Sequence, residues 1–69
     1  MKRVTVSSSN LRSIGYDEEN SVLEIEFKHG GIYQYLNVPN SIYNKLMNAS
    51  SHGTYFAANI RNVYTTVKL

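Results

Sequence analysis

Val22-Leu23-Glu24-Ile25-Glu26-Phe27-Lys28-His29-Gly30-Gly31-Ile32-Tyr33-Gln34-Tyr35-Leu36-Asn37-Val38-Pro39 is the stretch that decides the fold. Leu23, Ile25 and Phe27 alternate with Glu24 and Glu26, the period of a half-buried strand. Beyond the Gly30-Gly31 break, Tyr33 and Tyr35 flank Gln34 in the same alternation, so the stretch reads as a β-hairpin. An isolated hairpin is marginal in water, so neighbouring segments must cover its apolar face. Gln34 sets the register. If it faces water, Tyr33 and Tyr35 lie on the side of Ile25 and Phe27, which a three-residue loop with a left-handed glycine achieves. A two-residue turn would instead put both tyrosines beside Glu24 and Glu26, because a one-residue slip exchanges the faces. The first register is the preferred reading.

Working outward, Leu11 to Tyr16 reads as a strand with Ile14 and Tyr16 on the face of Arg12. Asp17-Glu18-Glu19-Asn20 is then a turn in which Asp17 caps backbone N–H groups. Val4-Thr5-Val6 reads as a frayed or edge strand. On the other side, Pro39 opens a helix where its missing N–H costs nothing. Ile42, Tyr43, Leu46, Met47 and Ala49 form its apolar stripe. Ser50 or Ser51 caps a second helix that turns Tyr55, Phe56 and Ile60 inward, with Arg61 near its end. Val63 to Val67 has the β-branched alternation of a strand added to the sheet edge. The expected architecture is α+β: a three- to four-stranded antiparallel meander packed on one face by two short helices, with a C-terminal edge strand. Residues 1–69 form one domain.

Sixty-nine residues bury only about 60% of the surface that the unfolded chain exposes, so stability is slim. The absence of cysteine excludes disulfides and thiolate metal sites and suits a reducing, cytoplasmic setting. Met1-Lys2-Arg3 has no apolar run behind it, and no window is long enough to span a bilayer, so neither a targeting segment nor a membrane partner is expected. The formal charge of +2 is unevenly placed. All the acids, Asp17, Glu18, Glu19, Glu24 and Glu26, fall between positions 17 and 26, whereas residues 27–69 carry Lys28, Lys45, Arg61 and Lys68 and no carboxylate. That asymmetry is the precondition for meeting a polyanion. It also follows if the eight Asn and eight Ser simply occupy surface that Glu would otherwise take.

No constellation declares a chemistry. His29 and His52 are the only histidines, one in a turn and one between the helices, too few ligands for a metal. Ser, His52 and Asp17 have no nucleophile elbow around them, so catalysis is not expected. Glu24 and Glu26 share a strand face at the spacing of ordinary amphipathic alternation and are read as solvated. His29-Gly30-Gly31 lacks the lysine and following helix of a phosphate loop, and serine capping accounts for Ser50-Ser51-His52-Gly53. Tyr33 and Tyr35 could stack bases from the sheet, but tyrosine is also the natural bulky core filler here, and core is the favoured reading.

Ser8-Ser9-Asn10-Leu11, Ile14-Gly15-Tyr16-Asp17, Leu23 to Phe27, Tyr33-Gln34-Tyr35, Val38-Pro39, Tyr43, Leu46, Ala49-Ser50, Gly53, Tyr55-Phe56, Ile60-Arg61 and Tyr64 together resemble the KTSC domain, named for its place at the C-terminus of some lysyl-tRNA synthetases. The resemblance covers nearly the whole chain, and Tyr33-Gln34-Tyr35 carries the family's most recognisable mark. Ala57 departs from the asparagine expected after the Tyr-Phe pair. The resemblance implies a free-standing bacterial member and, through the synthetase attachment, RNA as partner, with Arg12, Lys28, Lys45, Arg61 and Lys68 as the phosphate-facing residues. The expectation is a non-catalytic, cofactor-free binding module. The alternative is a protein-interaction or self-assembly module, offering a sheet edge or tyrosine patch to a protein partner or to a second copy.

Overall fold

In the structure, a computed structural model that describes all of residues 1–69, the chain runs β1(Arg3–Thr5), β2(Leu11–Asp17), β3(Val22–Phe27), β4(Ile32–Leu36), α1(Asn40–Asn48), α2(His52–Asn59) and β5(Thr65–Lys68). The strands make one five-stranded antiparallel sheet in chain order, so β1 and β5 are its edges. This is the expected α+β meander with a C-terminal edge strand. The N-terminal segment completes it as an ordered edge, Val4 lying opposite Ile14. The last strand begins two residues later than alternation suggested, because Val63 and Tyr64 turn back on Ile60 through main-chain hydrogen bonds.

The β3–β4 connection carries the predicted register. Gly30 N–H donates to the Phe27 carbonyl, Phe27 N–H donates to Gly31, and both glycines have left-handed φ, 109° and 93°. Ile25 therefore faces Tyr33 and Leu23 faces Tyr35, with all four side chains on one side of the sheet. That side is roofed by the helices: Leu11, Ile14, Leu23, Ile25, Phe27 and Tyr35 pack with Val38, Leu46, Phe56 and Ile60 in a single buried cluster. Tyr16 anchors α1 by donating its hydroxyl to the Val38 carbonyl at 2.6 Å and stacking on Tyr43 at 4.7 Å. Ser51, rather than Ser50, caps α2 by accepting from Thr54 N–H. His52 is the first residue of α2, not a loop residue; its Nδ1 donates to the Leu46 carbonyl at 2.8 Å and so closes the end of α1.

Two readings are corrected on the other face. Leu11 pairs with Phe27 and Ser13 with Glu26, so Arg12 is the extra residue of a β-bulge. The bulge restores Leu11 to the core face and swings Arg12 away from Ile14 and Tyr16, to 4.0 Å from Glu26. Glu24 and Glu26 are not simply solvated. Glu24 is only 9% exposed, ion-paired to Arg3 and accepting from Gln34 at 2.9 Å. Arg3 also donates to Ser13, which donates on to Glu26 at 3.1 Å. Gly15, paired with both Arg3 and Glu24, is what permits this: a Cβ there would lie 2.8 Å from Arg3 Cγ. The arginine crosses β2 over the glycine and seals the open face of the sheet.

Phe27 meets Tyr33 and Phe56 edge-on, with centroids 5.4 and 5.5 Å away. Phe27→Ala should therefore cost about 3–5 kcal/mol, comparable with the whole stability of so small a domain, and leave the variant largely unfolded by circular dichroism. A second expectation concerns acid. The hydrogen bond from Gln34, and then Arg3, hold the Glu24 carboxyl below its ordinary value of 4.5 despite desolvation; Asn20 does the same for Asp17. With the folded pKa depressed, the stabilisation is complete above the unfolded value and is lost as pH falls through the folded one. The urea midpoint should drop below about pH 4.5, and Glu24→Gln should make that drop shallower, Asp17 supplying the rest.

Candidate aromatic binding cleft

Where the N-terminal end of β4 meets the end of α2, the core opens to the surface. Asn10, Phe27, His29, Tyr33, Tyr35, Phe56, Arg61 and Thr66 line a cleft of about 310 Å³, at the lower end of the range of small-ligand sites. The placement follows from the register. The turn at Lys28 to Gly30 sets Tyr33 and Phe27 side by side, α2 brings Phe56 between Phe27 and Tyr35, and β5 supplies Thr66 opposite Tyr35. Tyr35 meets Phe56 edge-on at 5.3 Å, and His29 stacks on Phe27 at 5.3 Å with 15° between the rings.

The polar groups converge from four separate segments. Arg61, just past α2, holds its guanidinium 5.9 Å above the Phe56 ring and has no carboxylate within ion-pair distance. Asn10 comes from the turn before β2, where Ser8 braces its side chain at 3.2 Å, and its carbonyl accepts from Lys28 N–H. The cleft lining contains no acid: Glu24 and Glu26 are on the opposite face of the sheet and Asp17 ends β2 at the turn into β3. Tyr35 is 3% exposed, and its burial, with Tyr33 adjacent, pushes its phenol above the ordinary value of 10.0 against a smaller opposing pull from Arg61. Tyr35 is thus core and Tyr33, half-buried, is cleft wall.

The structure gathers some of the expected cations and separates others. Arg61 lines the cleft, Lys28 adjoins it between Phe27 and His29, and Lys68 is the β5 partner of Tyr33. Lys45 is on the exposed side of α1 and Arg12 is across the sheet beside Glu26. Asn10, Phe27, His29, Phe56 and Thr66 were not picked out as site residues from sequence. Only the facing of Phe27 with Tyr33 was available there as a signal, since the others meet through tertiary packing. No three His, Asp or Glu side chains converge as metal ligands, and no helix is long and apolar enough to cross a membrane.

Residues 7–64 match the KTSC domain. The chain belongs to the KTSC domain family. A KTSC domain protein from Yersinia pestis has the same fold over 99% of this chain and 96% of its own, with a TM-score of 0.97 and 43% sequence identity. A protein of Stutzerimonas stutzeri is 48% identical over 56 residues, 81% of this chain and 79% of that one. A lysine–tRNA ligase of Nostoc punctiforme is 38% identical over 48 residues, 70% of this chain but 9% of the ligase. The KTSC match begins before the turn that bears Asn10 and reaches past Arg61, so it takes in every cleft residue except Thr66.

In an alkaline titration followed by phenolate absorbance, a component should ionise above the ordinary tyrosine value of 10.0, and Tyr35→Phe should remove it.

Proposed function

We propose that this KTSC domain is a non-catalytic module that binds single-stranded RNA, with the aromatic cleft and the cations around it as the contact surface. The observation that carries the reading is the cleft itself. Exposed aromatic faces stack unpaired bases, and cations without acid neighbours track phosphates. The half-buried Tyr33 and the exposed His29, which stacks on Phe27, supply the first, and Arg61, Lys28 and Lys68 the second, around a lining that holds no acid. The similarity to part of a lysine–tRNA ligase supports a setting in which RNA is at hand. No catalytic role is assigned, because no nucleophile and base are paired in the cleft.

A second reading is favoured by one feature. β5 is exposed along its whole length and is an open edge of the sheet, with Val67 and Leu69 uncovered, which suits strand addition by a protein partner or a second copy. Salt separates the two. If three cations neutralise phosphates of a single strand, log K for a short oligonucleotide should fall against log salt with a slope of about −2. A titration with no binding at low salt defeats the RNA reading, and a salt-insensitive dimer in sedimentation favours the edge.

A further inference from the structure

The geometry points to a subsite for one nucleotide: the cleft takes a single unstacked base against its accessible rings, Tyr33 and His29, while Arg61 takes the phosphate attached to that nucleotide. This rests on the RNA-binding reading and narrows it to a ligand unit. Size is the first argument. A space of about 310 Å³ accepts one base with part of its sugar and is too small for two stacked bases. Ring geometry is the second. Phe27, Tyr35 and Phe56 are buried and meet their neighbours edge-on as a floor, whereas the half-buried Tyr33 and the exposed His29, stacked on Phe27 at 15°, are the rings that reach solvent and can receive a planar guest.

Charge is the third. Arg61 is the only cation in the lining, it has no acidic partner, and its guanidinium already lies over Phe56 at the rim. A guanidinium so placed presents its fork of donors to a phosphate attached to whatever occupies the aromatic space. A purely apolar guest would leave that cation unanswered, and a bare anion would leave the rings empty. A nucleotide satisfies both. Asn10, Thr66 and the Tyr35 hydroxyl are the hydrogen-bonding groups within the same lining that can meet a base edge.

The test uses the intact chain and four probes: AMP, UMP, adenosine and inorganic phosphate, followed by amide chemical shifts. AMP or UMP should move the signals of Tyr33, Tyr35, Phe56, Arg61 and Thr66 saturably, and inorganic phosphate should bind more weakly than either. Arg61→Ala should weaken AMP about tenfold, to near the adenosine level, while leaving adenosine unchanged. Tyr33→Leu should weaken AMP and adenosine alike, by about tenfold. Should the Tyr33 variant melt early, the exposed Arg61 position still decides. Shifts outside the cleft, an Arg61→Ala variant that holds AMP as the parent does, or phosphate binding as tightly as AMP would each overturn the subsite. A parallel titration with an RNA oligonucleotide separates the two levels. Oligonucleotide binding without AMP binding leaves the module and removes the subsite, AMP binding alone keeps the subsite and removes the RNA reading, and neither removes both.

Discussion

The register between β3 and β4 is the constraint on which the rest of the molecule depends. Two left-handed glycines let the chain reverse after a three-residue loop, and that loop length alone decides that Tyr33 and Tyr35 join Leu23, Ile25 and Phe27. One residue fewer would deliver both rings to the face held by Glu24 and Gln34. The helices would then lose the tyrosine part of their aromatic floor, and Phe56 would keep Phe27 but have no Tyr35 to meet. Core and cleft are two ends of the same aromatic row, buried at Tyr35 and open at Tyr33.

Opposite the core, the sheet has no second layer, yet Ser13 is 6% and Glu24 9% exposed. A single arginine achieves this by lying across a glycine, and its ion pair is answered from the other side by Gln34. A partly desolvated pair of this kind is weak support for stability in itself, because desolvation offsets much of the attraction. Its structural role is to tie the three-residue β1 to the central strands and to occupy the carboxylates away from the cleft. Glu24 and Glu26 are thereby held with Arg3 and Arg12 on the face away from the cleft, while the remaining acids gather at the β2–β3 turn.

The hairpin, both helices, the Asp17 turn and the facing of the tyrosines were legible in the sequence, because each is set by alternation, helical period or turn chemistry acting over a few neighbouring residues. What was not legible depends on residues far apart. The bulge at Arg12 breaks the period-two rule for one residue, and nothing near it in the chain announces the slip. The Arg3, Glu24 and Gln34 cluster spans three strands, so Glu24 reads locally as an ordinary outward carboxylate. The cleft draws on Asn10, the hairpin, the end of α2 and Thr66, and only Tyr33 and Tyr35 in its wall, with Arg61 at its rim, had been singled out beforehand. A basic surface inferred from sequence spacing divides in space for the same reason, with Arg12 and Lys45 away from the cleft.

Because strand order follows chain order, the first four strands close through short connections, and each pairing costs little loop entropy. β5 differs: its pairing with β4 encloses both helices, so it must await the longest closure in the molecule. It is also the least buried element, held by its ladder to β4 rather than by side-chain packing. Opening of that ladder is therefore the least costly excursion from the native state, and it would detach Thr66 and Lys68 while the meander and its roof stayed assembled. The C-terminal strand is thus the one side of the cleft that main-chain pairing holds in place, and the sheet edge and the aperture share that single ladder.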